Sequence, residues 1–192
     1  MWRLGTQIER DWQLFFMSIN KKPQILHDLE ADFQRSALKF LYFGSYALKW
    51  IYAEKLVQFQ PPDIDFLVQG SGDSLLSLAH SLTQKKWDVW VWGERYSEEW
   101  TVEILQGKWY IRIQKDDILC DLSFEYPYLN FPESFRNRQK IADHQLCSLE
   151  DIWYLKLLKD VEAANSFADK YGLDIPKRSF LRVKHRATKK SE

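Results

Sequence analysis

The sequence predicts a mixed α+β fold, a mixed sheet flanked by helices and followed by a helical C-terminal part. Three observations carry this. Apolar residues recur at helical spacing in Pro23–Ser36, Ser74–Lys86 and Ser148–Tyr171. They alternate with a period of two between Trp87 and Phe124. Short apolar runs bounded by turn residues, Leu38–Phe43 and Asp63–Val68, read as buried strands.

Taken in order, Pro23 suits the first turn of a helix whose Ile25, Leu26, Leu29 and Phe33 share one face. The run Leu38–Phe43 ends at Gly44-Ser45, and Ser45 is placed to cap a helix from Tyr46 to about Leu56. Pro61-Pro62 punctuates the chain before the strand Asp63–Val68, which Gly70-Ser71-Gly72 closes. Further on, Trp109, Ile111 and Ile113 alternate with Tyr110, Arg112 and Gln114, and Ile118, Cys120, Leu122 and Phe124 with Leu119, Asp121 and Ser123. These are adjacent strands with Lys115-Asp116-Asp117 at a turn. After the irregular stretch Tyr126–Gln145, Ser148 with Asp151 opens a single long helix that carries Tyr154, Leu157, Leu158, Val161, Ala164, Ala168 and Tyr171 and stops at Gly172. The expected division is a core with N-terminal helices over 1–125, a helical part over 126–176 and a basic, mobile tail over 177–192.

Composition excludes several classes. The 192 residues are 45% hydrophobic and 28% charged with 7 Gly and 6 Pro, which rules out collagen-like and disordered chains. Two cysteines, Cys120 and Cys147, cannot staple a disulfide scaffold and suit a reducing, cytoplasmic setting. No apolar stretch spans a bilayer, and Glu9, Arg10 and Asp11 stand where a secretory signal needs an apolar run, so no membrane partner is expected. His80, His144 and His185 have no metal-ligand spacing. The formal net charge is zero, yet residues 177–192 hold seven Lys/Arg and one acid, which leaves the preceding residues at −6. Such a tail can contact nucleic acid, or it is simply a solvated chain end. Five tryptophans between Trp87 and Trp109 either pack strands together or offer a stacking platform.

The chemistry lies between Gly44 and Asp121. In a strand, Asp63 and Asp65 fall on one face and Ile64 and Phe66 on the other. Adjacent carboxylates repel unless a cation sits between them, and hard divalent ions prefer such oxygen ligands. Asp121, an acid in an otherwise apolar strand, is the third ligand candidate. Gly44 permits close backbone approach, and Ser45 at a helix N-terminus stands where free N–H groups attract phosphate. Anion cradle and cation cradle together suit a nucleoside triphosphate with Mg²⁺ or Mn²⁺. Lys156 can reach a phosphate from the long helix, or it pairs with Asp160 one turn on.

The segments Leu41-Tyr42-Phe43-Gly44-Ser45, Pro62-Asp63-Ile64-Asp65-Phe66 and Leu119-Cys120-Asp121-Leu122 resemble the Gly-Ser…Asp-x-Asp…Asp signature of the DNA polymerase beta-like nucleotidyltransferase superfamily. The chain is most similar to its small bacterial branch of minimal, AbiEii-like and antibiotic-modifying members. The resemblance covers roughly residues 40–124 and implies a Mg²⁺-dependent, ATP- or other NTP-using transferase. Asp63 and Asp65 would ligate two ions, Asp121 would ligate the catalytic ion and act as general base, and Gly44, Ser45 and Lys156 would bind the nucleotide. The acceptor would be a hydroxyl on a small molecule such as an antibiotic, on RNA or on a protein. The chain departs from the pattern in two places: Phe59-Gln60-Pro61-Pro62 brings neither a basic nor a hydroxyl residue before the Asp-x-Asp, and Lys159-Asp160 lacks the arginine of the AbiEii-like helix. These departures carry an alternative, a catalytically inactive nucleotide- or nucleic-acid-binding member of the same fold. A third reading is an interaction domain whose aspartates only end a strand.

Overall fold

The computed structural model describes residues 22–108, 110–124, 128–141 and 144–189. Helix α1 (Lys22–Arg35) leads into β1 (Lys39–Phe43), α2 (Gly44–Ile51) and β2 (Ile64–Gln69). Then follow α3 (Gly72–Gln84), β3 (Asp88–Val91), the two-residue β4 (Glu94–Arg95), a 3₁₀ turn (Val102–Leu105), β5 (Tyr110–Lys115) and β6 (Ile118–Ser123). The chain continues through α4 (Phe131–Arg136), β7 (Gln139–Ile141), β8 (His144–Leu146), α5 (Leu149–Lys159), α6 (Val161–Tyr171) and α7 (Lys177–Lys189). The fold is the mixed α+β arrangement read from the sequence.

One eight-stranded sheet runs in the order β4-β3-β5-β6-β2-β1-β8-β7. Its centre is mixed: β2 pairs antiparallel with β1 and parallel with β6. The period of two sorts the two faces as expected. Ile111, Ile113, Ile118, Cys120 and Leu122 are buried, as are Phe66 and Val68 on β2. Helices α1 and α3 cover this back face. Phe33 of α1 meets Phe40 and Phe66, with ring centroids 5.0 and 5.1 Å apart, and Leu75, Leu78, Ala79 and Leu82 of α3 are buried. Burying a side chain of this size contributes about 1.5–3 kcal/mol, which holds α1 and α3 against the sheet.

Several boundaries differ from the sequence reading. Helix α2 starts at Gly44 with Phe43 at the cap position, so Ser45 lies in the first turn rather than capping it, and the helix ends at Ile51. The single long helix is two. Asp160 leaves helical geometry (φ −163°, ψ 110°), and its side chain accepts from the Ala163 N–H to cap α6. That cap outweighs continuity of the apolar spacing. Gly172 ends α6 in the left-handed region (φ 60°), as expected.

Two further differences lie beyond Phe124. Strands β7 and β8 fall in or at the edge of the stretch Tyr126–Gln145 read as irregular, within the part expected to be helical, and β8 joins β1 in the sheet. Residues Lys177–Lys189, read as a mobile tail, form α7 against α5. Buried Ser179 donates to the Glu150 carbonyl at 2.8 Å, and Arg182 pairs with buried Asp151 while lying 4.1 Å from the Tyr154 ring centre. The first 21 residues of the expected core with its N-terminal helices, Trp109 of the alternating strand, residue 125, part of the irregular stretch (residues 126, 127, 142 and 143) and residues 190–192 lie outside the described residues.

Candidate active site

The site is built on one row of register partners across the sheet. Phe43 of β1 pairs with Asp65 of β2, Asp65 with Asp121 of β6, and Asp121 with Arg112 of β5. Arg112 in turn pairs with Trp90 of β3. Register partners share a face, so parallel pairing of β2 with β6 sets two carboxylates side by side. Asp63 precedes β2 by one residue and, two positions from Asp65, falls on the same side. The carboxylates of Asp63, Asp65 and Asp121 each offer an oxygen, all within 4.8 Å of one another, and all three residues are half-buried. Among the described residues this is the one such cluster of potential metal ligands.

The turn from β1 into α2 closes the site from the other side. Gly44 takes φ +67°, and a Cβ there would lie 1.9 Å from Asp65 Oδ2. Glycine is needed twice over, for the left-handed backbone and for the room that the carboxylate occupies. Ser45 follows at the start of α2, where backbone N–H groups lack helical partners. Its Oγ accepts a hydrogen bond from Lys156 Nζ at 2.9 Å. Lys156 and Lys159 lie on the face of α5 that Ile152 also presents to the cavity, spaced by four and then three residues. The lysine therefore faces the site, and Asp160 is taken up by its capping role. Lys156 Nζ also sits 4.8 Å from the Phe167 ring centre.

The electrostatics follow from crowding. Burial, then the charges of Asp63 and Asp121, push Asp65 up to about 7, against the pull of Lys156 and Lys159. Burial and Asp121 raise Asp63, with Arg112, Lys159 and Lys156 opposing. Burial lowers Lys156, and Asp65 works against that. The hydrogen bonds that Arg112 donates to Asp121 raise its guanidinium further. Three acids and two lysines thus line a cavity of about 770 Å³ bordered by Gly44, Ser45, Asp63, Asp65, Asp121, Lys156 and Lys159, a volume usual for small-molecule sites.

All six candidate residues thus line one cavity. The sequence reading missed Arg112, which forks onto both oxygens of Asp121, and Lys159, which lines the same wall as Lys156. Their signals were the outward position in β5 and the helical spacing from Lys156. The tryptophans divide. Trp87 is buried and Trp100 packs on Tyr96 at 5.5 Å, whereas Trp90 lies half-buried on the site's face of the sheet. Cys120 and Cys147 are both buried and neither is in a disulfide, and burial raises Cys147 far above the usual thiol range.

The chain is similar to solved nucleotidyl-transfer and tRNA-processing structures. One is ANT(2″)-Ia in complex with adenylyl-2″-tobramycin, at 17% identity over 88% of this chain and 89% of that one, with a TM-score of 0.46. The solution structure of the antibiotic-resistance factor ANT(2″)-Ia matches at 15% identity over 88% and 84%, with a TM-score of 0.44. A tRNA-processing enzyme in its apo form matches at 12% identity over 86% of this chain, which spans 46% of that longer one, with a TM-score of 0.47. No family model and no curated protein sequence matches the chain. These likenesses are distant. What the site can do follows from its own residues.

Proposed function

We propose that the protein is a nucleotidyltransferase of the DNA polymerase beta-like superfamily, moving a nucleoside monophosphate from a nucleoside triphosphate to an acceptor hydroxyl and releasing pyrophosphate. The observation that carries the proposal is the convergence of Asp63, Asp65 and Asp121 within 4.8 Å beside the start of α2. The donor set suits Mg²⁺ or Mn²⁺: all oxygens, all hard, and so crowded that Asp65 is pushed up to about 7. Asp63, Asp65 and Asp121 would hold the metal. Bound there, divalent ions supply neutralisation of the attacking and leaving oxygens.

The remaining roles belong to the chain. Ser45 and the unpaired N–H groups opening α2 bind the triphosphate as an anion, and Gly44 lets it approach the backbone. Lys156, held at Ser45 Oγ, places an ammonium on the same phosphates, and Lys159 adds a second positive charge. Asp121 stands at the side of the triad away from Ser45 and takes the proton of the acceptor hydroxyl. The acceptor is a small molecule, an RNA or a protein. An RNA would also meet the basic segment 177–192, although Arg178 and Arg182 there already face Glu150 and Asp151. We include a cytoplasmic setting, which two buried cysteines outside any disulfide suit. Among the described residues no helix is long and apolar enough to cross a membrane.

The test is incubation with labelled triphosphates, Mg²⁺ or Mn²⁺, and candidate acceptors, with pyrophosphate release as readout. Equal activity in the wild type and in an Asp63→Ala/Asp65→Ala double variant rejects the proposal. A second reading, a nucleotide-binding member without turnover, is favoured by one observation: Arg112 engages both oxygens of Asp121. Calorimetric binding of Mg²⁺ and triphosphate, without pyrophosphate release under any acceptor, supports it.

A further inference from the structure

Arg112 meets Asp121 in a fork, with Nε and one terminal nitrogen each 2.8 Å from a different carboxylate oxygen. A bidentate guanidinium–carboxylate pair is among the strongest hydrogen-bonded contacts a protein makes. It occupies the acid that the proposed metal site needs as its third ligand. Arg112 and an incoming cation therefore draw on the same lone pairs, and the permanently charged guanidinium repels the ion as well. The partners differ in freedom: the Arg112 side chain is 44% exposed and that of Asp121 only 18%. The longer arginine side chain is the more solvent-exposed of the two, while the aspartate is short and held inside β6.

The geometry points to Arg112 as an exchangeable stand-in for the cation. Arg112 is a positioning residue: it holds Asp121 in place before loading, lowers the affinity of the bare triad for divalent ions, and releases the carboxylate when metal arrives. With three acids and no ion, the fork neutralises one charge and lets the triad assemble. A triphosphate brings negative charge that favours the metal over the arginine, so metal entry is coupled to nucleotide entry. This inference rests on the proposed function, because it concerns the same triad.

The experiment is a calorimetric titration of the full-length protein with Mn²⁺ alone, with thermal unfolding of each variant as a check on folding. Arg112→Gln is expected to bind Mn²⁺ roughly three- to tenfold more tightly than wild type, the scale of losing one partly exposed charge-assisted pair. Arg112→Lys, which keeps the charge and loses the fork, falls between. In an Asp121→Asn background the Arg112→Gln change moves the affinity by less than about twofold, because the coupling needs the carboxylate. Unchanged or weaker Mn²⁺ binding in a folded Arg112→Gln overturns the inference. So does an equal gain in the Asp121→Asn background, which marks a general charge effect. If Asp63→Asn abolishes Mn²⁺ binding while Arg112→Gln leaves it unchanged, the role of Arg112 falls and the transferase proposal stands. If the wild type binds no Mn²⁺ even with a non-hydrolysable triphosphate, both fall.

Discussion

Gly44 and Asp65 compete for one space: a single added methyl group at Gly44 would lie 1.9 Å from the Asp65 carboxylate oxygen. The close approach packs the β1–α2 turn directly against the Asp65 side chain of β2. Gly44→Ala is expected to lower stability by roughly 2–4 kcal/mol, from left-handed strain and displacement of a half-buried neighbour. It also removes Mn²⁺ binding. Urea unfolding and metal titration check this against Gly107→Ala, where φ is likewise positive (+71°) but nothing lies within 4 Å, and where only backbone strain of about 1 kcal/mol is expected.

The acid crowding makes stability depend on pH in a stated direction. Asp65 has its folded pKa raised from 3.8 to about 7, so in that window the folded chain binds the extra proton. Stability contributed by this group is present at low pH and is lost as pH rises from about 4 to 7. Asp63, also raised, acts in the same direction. Asp65→Asn is therefore expected to melt higher than wild type at pH 8, with the gap closing towards pH 5. Differential scanning calorimetry across that range decides it, and a gap that widens on acidification contradicts the assignment. Metal affinity should fall below pH 7 for the same reason, since proton and cation compete for Asp65.

Lys156 donates to Ser45 Oγ, and its charge interacts with that of Asp65 in the same cavity. Lys156→Met is expected to weaken triphosphate binding by tenfold or more, about 1.4 kcal/mol or above, while leaving Mn²⁺ binding to the bare triad intact or tightened. Parallel titrations with a non-hydrolysable triphosphate and with Mn²⁺ separate the two effects.

The break between α5 and α6 rests on the Asp160 cap. Asp160→Ala is expected to cost about 1 kcal/mol and to leave pyrophosphate release within twofold of wild type, as its carboxylate caps α6 at the Ala163 N–H. Asp160→Asn or Asp160→Ser, which retain a capping oxygen, should recover most of the loss in urea unfolding.

The legible parts of this molecule are those where order along the chain equals order in space. Gly44-Ser45 adjoin because the turn is local, and Asp63 and Asp65 share a side because a strand repeats every two residues. The back-face alternation of β5 and β6 was legible for the same reason. Arg112 was not singled out, because alternation says only that it points away from the core. That it meets Asp121 depends on the register between β5 and β6. The helix break was hidden because Leu157, Val161 and Ala164 keep helical spacing across it, yet Val161 ends up 44% exposed. Strands β7 and β8 have three residues each, too few to show a period. Segment 177–189 reads as a solvated end by composition, and its docking depends on Ser179 and Arg182 meeting α5, contacts without a sequence signature.

The parallel ladder between β2 and β6 has a kinetic consequence. Asp65 and Asp121 come together only when two strands distant in sequence align side by side, a closure that loses far more chain entropy than any hairpin in the sheet. A nascent or partly collapsed chain can therefore carry all its helices and still lack the triad. The acid triad should therefore form late and all at once during refolding, after the helices and the hairpins of the sheet.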